Sequence, residues 1–580
     1  MQSIWKIQRL TEEQKKIRDN LSAELSINPV LSQLLVQRGI ETVDEARRFF
    51  RPQIQDLYDP FLMNDMHIAV ERLNLAMGRK EKILIYGDYD VDGTTAVALV
   101  YKFLQNFYSN LDYYIPDRYD EGYGVSYKGI DYAAENDFTL IIALDCGIKE
   151  IEKIKYAKRK GVDFIICDHH NPDDELPEAV AVLDPKRADS TYPYQHLSGC
   201  GVGFKFMQAF AINNGIDFSH IYNLLDFVAI SIASDIVPIT DENRILAFYG
   251  LKLLNSNPSL GLKGMIELCG LAEKEIGITD IVFKIGPRLN ASGRIKSGKE
   301  AVDLLLTKDV TLARERSEDI NQYNQTRKEL DKNMTEEANL ILENAANFAD
   351  CRTIVLYYDA WHKGVIGIVA SRLTEYYFKP SIVLTLSNGL VTGSARSVPG
   401  FDIYRALDAC RDILENFGGH TYAAGLSLKE SNLSVFKERF EEYVAANILP
   451  SQLIPQIDID AELMFSEITP KFYRVLKQFN PFGPDNNKPI FLTKRVYDYG
   501  TSRLVGRDQE HLKLELVDSR SENIMNGIAF GMHVHNDYIK GLNPFDICYT
   551  IEENNYNGST YIQLMIKDIH PSDEEIDDFI

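Results

Sequence analysis

The sequence predicts an α/β protein of several domains that ends in a small β-barrel, and three observations carry that prediction. Between about residue 80 and residue 240, short apolar runs alternate with helical patterns, the mark of a parallel sheet covered on both faces. The stretch from Thr311 to Ala345 is free of Gly and Pro and reads as one long connecting helix. After Pro450 the pattern changes to short strands. At 580 residues the chain exceeds what a single core organises, so two to four domains are expected.

The first sheet is expected from "KILIYG", "LDYYIP", "TLIIALD", "VDFIICD" and "AVAVLD", with helices such as "TTAVALVYKFLQNF" and "KEIEKIKYAKRKG" between them. The apolar run "FVAISIASD" reads as a further strand that closes on Asp235. In the connecting helix, Ala313, Ile320, Leu330, Met334, Ala338 and Ile341 recur at roughly helical spacing and mark the inward face. A second α/β pattern runs from "TIVLYYD" to about Leu449, and Pro450 and Pro455 mark a linker. The runs "FLTKRVYDYG", "HLKLELVD", "NIMNGIAFG", "FDICYTIEE" and "TYIQLMIKDI" predict about five antiparallel strands, a count that suits a barrel of the OB type. The expected map is an N-terminal extension and catalytic domain over 1–310, a connecting helix over 311–346, a second α/β domain over 347–449, and a linker with an OB-like nucleic-acid-binding domain over 450–580.

Composition narrows the function classes. With 45% hydrophobic and 25% charged residues the chain is an ordinary globular protein. It contains no apolar run of membrane-spanning length, and "MQSIWKIQRLTEEQKK" lacks an apolar signal core, so neither a membrane span nor a secretion signal is expected and a cytoplasmic location follows. The seven cysteines form no C-x-x-C pair and read as reduced core thiols. A net charge of −23 means that any nucleic acid must be met by a concentrated basic groove. The acidic end "SDEEIDDFI" is left without a role.

The chemistry gathers where strands end. In an open parallel sheet, ligands bind outside the carboxyl ends of the strands. Asp88, Asp90 and Asp92 follow "KILIYG"; Asp145 ends "TLIIALD"; Asp168, His169 and His170 end "VDFIICDHH"; Asp235 closes its own run. Any one of these alone reads as a turn, a helix N-cap or a satisfied core histidine. Together they crowd carboxylates into one crevice, where burial and repulsion would raise their pKa values. Divalent cations relieve that conflict, and carboxylate oxygens with imidazole suit Mn²⁺ or Mg²⁺ better than a thiolate-loving structural zinc. Two such ions would clamp a phosphoryl group and activate a water.

The stretches "GDYDVDG", "LDCG", "CDHH" and "ASDIVP", in this order, resemble the motifs of the DHH phosphoesterase superfamily, named for the triplet Asp168 to His170. With "IPDRYDEGYG", "GPRLNASGR", "WHKGVIGIVASRL", "GSARSVPGFDI", "FGGHTYAAG" and "PFGPDNNKPIF", nearly the whole chain is similar to the bacterial single-strand-specific DNA exonucleases of that superfamily. Asp485 stands where that pattern has Gly, Asn487 where it has Pro, and Ala395 where Gly is common. The resemblance implies a DHH domain, a DHHA1 domain joined to it by the long helix, and a terminal OB domain.

It also implies a 5′-to-3′ exonuclease on single-stranded DNA that releases 5′-mononucleotides, in repair and recombination, using two ions per site. Asp90, Asp92, Asp145, His169 and Asp235 match the metal ligands, with Asp145 as the bridge and Asp88 as a further ligand or supporting group. Asp145, His169 and His170 form the catalytic set, His170 touching the scissile phosphate, while Asp168 orients the imidazoles. Arg118, Arg288, Arg294, Ser394, Arg396 and His420 match positions that hold substrate phosphates, a role suited to the planar guanidinium fork. In the barrel, Lys488, Lys494, Arg495, Arg503, Arg507 and Lys513 beside Tyr497 and Tyr499 are what a single-strand track needs. Implied partners are a RecQ-like helicase and a single-strand-binding protein, with the chain itself a monomer and no membrane partner. The rivals are a DHH-family phosphatase or nuclease acting on short oligonucleotides or small phosphoesters, which would not need the extension, the long connecting helix and the barrel, and a non-catalytic scaffold, which would have lost ligands.

Overall fold

The computed structural model describes residues 3–345, 348–519, 523–556 and 559–572. The chain forms two compact units, Ile54–Leu453 and a second made of Met1–Gln53 with Ile454–Ile580. The acidic C-terminal end from residue 573 on lies outside the described residues. Among the described residues no helix is long and apolar enough to cross a membrane.

In the larger unit, five parallel strands follow the order Leu111–Tyr114, Lys82–Gly87, Phe138–Leu144, Asp163–Cys167 and Ala181–Leu183. Each grows from one of the five expected runs. Alternate side chains serve opposite faces, as a pleated strand requires. Ile83, Ile85, Leu140, Ile142, Leu144 and Ile165 join one core. Leu84, Tyr86, Ile141, Ala143, Phe164 and Ile166 join the other. Burying each aliphatic side chain contributes about 1.5–3 kcal/mol, so the register of this sheet is strongly held.

The reading of "FVAISIASD" as a strand is corrected, since Leu225–Ser234 is a helix with Leu225 to Ala233 all buried. A helix apolar all round has no polar stripe, so periodicity cannot tell it from a buried strand. Asp235 therefore reaches the crevice from a helix C-terminus.

The connecting helix spans Val310–Glu343 and buries Ala313, Ile320, Met334 and Ala338. Ile341 points outward at 43% exposure, and Leu342, four residues after Ala338, takes the inward position. Beyond it a mixed sheet runs in the order Asn416–His420, Ala423–Leu428, Leu390–Arg396, Ser381–Ser387 and Ile354–Tyr357. Only its last two strands are parallel to each other.

In the smaller unit all five expected barrel strands form, with two short additions, Ala461–Glu462 and Arg503–Val505. Pairing of Phe491–Asp498 with His511–Asp518 closes the sheet on itself. Among the five expected strands the all-antiparallel order is corrected at one ladder, where Met525–Ala529 runs parallel to Ser559–Pro571 with Gly527 opposite Leu564, and the added Ala461–Glu462 also pairs in parallel with Phe491–Asp498. Asp485 sits at φ 58, which explains why glycine suits that position.

The N-terminal residues belong here and not with the catalytic domain to which they were assigned. Ile4–Ile7 pairs in parallel with Gln456–Ile459. Leu21, Leu31, Leu34 and Leu35 pack with Phe465, Phe472 and Phe479 in the barrel core. An amphipathic helix declares that it has an apolar face, not which distant surface covers it.

Candidate metal centre and phosphate groove

Strand Lys82–Gly87 delivers its acidic loop into a helix start. Asp90 is the N-cap of the helix Val91–Leu104 and accepts from the Gly93 amide at 3.0 Å. Asp92, the second residue of that helix, is tied down from elsewhere. Its carboxylate accepts from the amides of Gly199 at 2.7 Å and Cys200 at 2.8 Å and from the Ser231 hydroxyl at 2.7 Å. Those amides open the helix Gly199–Asn214, whose N-terminal dipole favours a carboxylate. A Cβ at Gly199 would stand 2.6 Å from that of Asp145, so only glycine lets this helix approach. Asp145 itself sits at φ 59, a left-handed conformation that Asp tolerates better than most residues.

After strand Asp163–Cys167, Asp168 organises its own loop. Its Oδ1 accepts from the His169 amide at 2.7 Å and lies 2.7 Å from His170 Nδ1, while Oδ2 accepts from the Ile148 amide at 3.0 Å. Burial opposes its ionisation, but the His170 bond and these amides hold its carboxyl well below the usual range. Burial likewise lowers His170, yet the Asp168 bond and the charges of Asp168, Asp235 and Asp90 prevail and push it up to about 9.

His169 Nε2 lies 3.1 Å from Asp145 Oδ1 and 3.6 Å from both Asp92 Oδ2 and Asp235 Oδ2. Three triads have donor atoms within 4.8 Å of one another, namely Asp92 with His169 and Asp235, Asp88 with Asp90 and Asp145, and Asp145 with His169 and His170. Asp145 thus stands in two of them, beside a carboxylate set on one side and an imidazole set on the other. Asp88 Oδ2, Asp145 Oδ1 and both His169 ring nitrogens are buried without a hydrogen bond, an arrangement that calls for a further partner. Burial first, then the neighbouring carboxylates, pushes Asp88, Asp145 and Asp235 well above the usual range. Burial draws His169 down to about 4, so its imidazole is neutral and free to ligate. Carboxylate oxygens with a neutral imidazole fit hard divalent cations such as Mn²⁺ and Mg²⁺.

The phosphate candidates divide. Arg396 Nη1 donates to Ser394 Oγ at 2.8 Å, Arg294 Nη1 to the Gly364 carbonyl at 3.0 Å, and Arg118 lies 4.8 Å over the Tyr89 ring. Among the described residues none of the three has a carboxylate in ion-pair range. Burial lowers the pKa of Arg294 to about 10, helped by the charges of Arg118, Arg327 and Arg396, and Arg396 is lowered by burial and by Arg118. Uncompensated guanidinium groups this close are an anion site in waiting. Arg288 stands apart, bonded to Asn321 Oδ1 at 3.1 Å and the Lys284 carbonyl at 2.7 Å. His420 lines an open cavity of about 480 Å³ with Asn171, Tyr404 and Tyr422.

Sequence reading missed Tyr123, whose hydroxyl lies 3.0 Å from His170 Nε2, and Ser231, which braces Asp92 from inside an apolar helix. A loop tyrosine carries no periodic signal, and a serine among apolar neighbours reads as filler. In the barrel the expected cationic cluster is partly cancelled, since Lys488 pairs with Glu552 at 2.7 Å and Lys494 with Glu462 at 2.8 Å. Arg503 opposite Lys513, with half-exposed Tyr499, keeps the cation and aromatic pairing.

Such a carboxylate and imidazole cluster at the carboxyl edge of a parallel sheet, faced by unpaired arginines, defines a metal-dependent phosphoesterase. Family models match in chain order: the DHH family N-terminal domain over residues 82–232, the DHHA1 domain over 351–446 and the RecJ OB domain over 459–568. The single-stranded-DNA-specific exonuclease RecJ of Bacillus subtilis is 36% identical over 99% of this chain and 72% of its own length. That of Escherichia coli is 30% identical over 97% of this chain and 100% of its own. The crystal structure of RecJ in complex with Mn²⁺ from Thermus thermophilus has the same fold, with a TM-score of 0.84 at 24% identity over 98% of this chain and 80% of that one. The chain belongs to the RecJ family.

Proposed function

We propose that this chain is a single-stranded-DNA-specific exonuclease that works from 5′ to 3′, releases 5′-mononucleotides and serves DNA repair and recombination. The observation that carries the reading is the meeting, within one unit, of the Asp145 and His169 ligand cluster with the unpaired Arg118, Arg294 and Arg396. Asp90, Asp92, Asp145, His169 and Asp235, with Asp88 in support, would hold two Mn²⁺ or Mg²⁺ ions, which would supply Lewis-acid charge to phosphoryl oxygens and lower the pKa of a water. Asp145 belongs to two of the ligand triads. Asp168 keeps His170 charged and aimed, and His170 offers Nε2 to the scissile phosphate once the strand displaces the Tyr123 hydroxyl.

Arg118, Ser394 and Arg396 hold the 5′-terminal phosphate, whose extra charge and free oxygens mark it off from an internal diester, and Arg294 adds to their field. With the terminal phosphate held there, the cut falls one nucleotide from the end. His420 meets a phosphate further along the strand, and Arg288 serves mainly to fasten its helix. A need for unpaired strands implies work beside a helicase of the RecQ kind and a single-strand-binding protein, by a monomer acting in the cytoplasm.

The test is hydrolysis of 5′- and 3′-labelled single strands and duplexes with Mn²⁺, Mg²⁺ or chelator. Mononucleotides released first from the 5′ label of single strands, and only with metal, are expected. Release from the 3′ end would overturn the polarity, and turnover confined to small phosphoesters would favour a phosphatase.

A further inference from the structure

The motif "GPRLNASGR" holds more than its two arginines. It forms the helix Gly286–Ile295, and this helix is pressed against the acidic loop that follows strand Lys82–Gly87. A Cβ at Gly293 would stand 2.6 Å from the carbonyl oxygen of Tyr89, the residue between Asp88 and Asp90, so only glycine permits the approach. Three residues before Gly293, Asn290 Oδ1 accepts from the Val91 amide at 3.2 Å.

The first amides of a helix have no partner inside it. In the helix Val91–Leu104 the Gly93 amide turns to the Asp90 side chain, as an N-cap arranges. The Val91 amide is met instead by a side chain 199 residues further along the chain. That amide belongs to the peptide unit joining Asp90 to Val91, and the carbonyl oxygen of the same unit accepts from the Thr94 amide at 2.9 Å. Both polar ends of the unit are therefore held, and with them the Cα from which the Asp90 carboxylate springs. Its neighbours in the loop are braced from a distance too, Asp88 by the Gly124 amide at 3.3 Å and Asp92 by the amides of Gly199 and Cys200. For Asp90 the distant brace is Asn290. An aspartate there would accept equally well but would add charge to a crowded cluster, whereas the amide oxygen fixes the loop without it.

We propose that Asn290 is a positioning residue of the metal centre, which sets Asp90 through the Asp90–Val91 peptide so that the carboxylate meets a cation already aimed. The inference rests on the two-ion reading above. It also means that one short helix carries both Arg294 of the phosphate groove and the brace of the metal loop.

The test is titration of the full chain with Mn²⁺ alone, the free ion followed by its electron paramagnetic resonance signal, in the parent, Asn290→Leu and Asn290→Asp. Asn290→Leu, which has no acceptor, is expected to weaken Mn²⁺ binding about tenfold or more, the scale of loss when a metal ligand is deprived of its supporting hydrogen bond. Asn290→Asp keeps an acceptor oxygen and binds Mn²⁺ at least as tightly as the parent. Should Asn290→Leu fail to fold, Asn290→Ala carries the same comparison. An affinity of Asn290→Leu within about twofold of the parent, or equal weakening in Asn290→Leu and Asn290→Asp, overturns the role. A parent that binds no Mn²⁺ overturns the two-ion reading and the role with it.

Discussion

Asp145 Oδ1 stands 3.1 Å from His169 Nε2, and both atoms are buried without a hydrogen bond. Burial and the charges of Asp92, Asp90 and Asp235 penalise the Asp145 carboxylate, so a bound cation relieves what an empty cluster suffers. Asp145→Asn, which keeps the tolerance for its left-handed backbone, abolishes nuclease activity. In chelator the variant melts higher than the parent. In Mn²⁺ the order reverses, because ligand binding adds about 2.7 kcal/mol to the parent at a hundredfold excess over Kd. Melting curves that fail to cross would refute the cation role of Asp145.

The pair of Asp168 and His170 makes stability depend on pH. His170 has its pKa raised on folding from 6.5 to about 9, so its contribution is fully present below 6.5 and is lost as the pH rises through about 9. Asp168→Asn removes it. In chelator the parent is expected to exceed the variant by about 2 kcal/mol near pH 6, with the gap closing toward about pH 10, after allowance for partial exposure of the imidazole. Thermal melts across that range check the prediction, and a gap independent of pH would contradict it.

Among the described residues Arg396 has no carboxylate in ion-pair range, and it donates to Ser394 Oγ and the Ala395 carbonyl oxygen. Arg396→Ala is expected to weaken the preference for 5′-phosphate over 5′-hydroxyl ends by about 1.5–3 kcal/mol, the worth of a charged hydrogen bond. The ratio of kcat/KM for the two ends, parent against variant, measures it. An unchanged ratio removes Arg396 from the terminal pocket.

Removing the barrel alone would strip the cover from Leu21, Leu31, Leu34 and Leu35, so a chain ending after Leu463 is expected to aggregate. Residues 54–453, which form a unit of their own, should stay folded and cut short oligonucleotides. That fragment is expected to bind long single strands more weakly and with a shallower salt dependence. Binding as tight as that of the full chain would show that the barrel is not the strand-holding module.

Much of this was legible in the order of residues. Central parallel strands bury both faces, so "KILIYG", "TLIIALD" and "VDFIICD" stand out as unbroken apolar runs, and the carboxylates that follow them fall at the sheet edge by topology alone. The Gly- and Pro-free stretch likewise announced the long helix. Local pattern and local chemistry are enough where a structure is made from neighbours in the chain.

Tertiary structure decided what depends on distant neighbours. It turned "FVAISIASD" into a helix that still brings Asp235 to within 3.6 Å of His169. It placed Tyr123 against His170 and cancelled Lys488 and Lys494 with Glu552 and Glu462. It packed residues from both ends of the chain into one core. Whether a charge is spent or free, and whether a glycine is crowded or bare, depends on which atoms arrive from elsewhere, and burial and pairing energies are set by that arrival rather than by the residue itself.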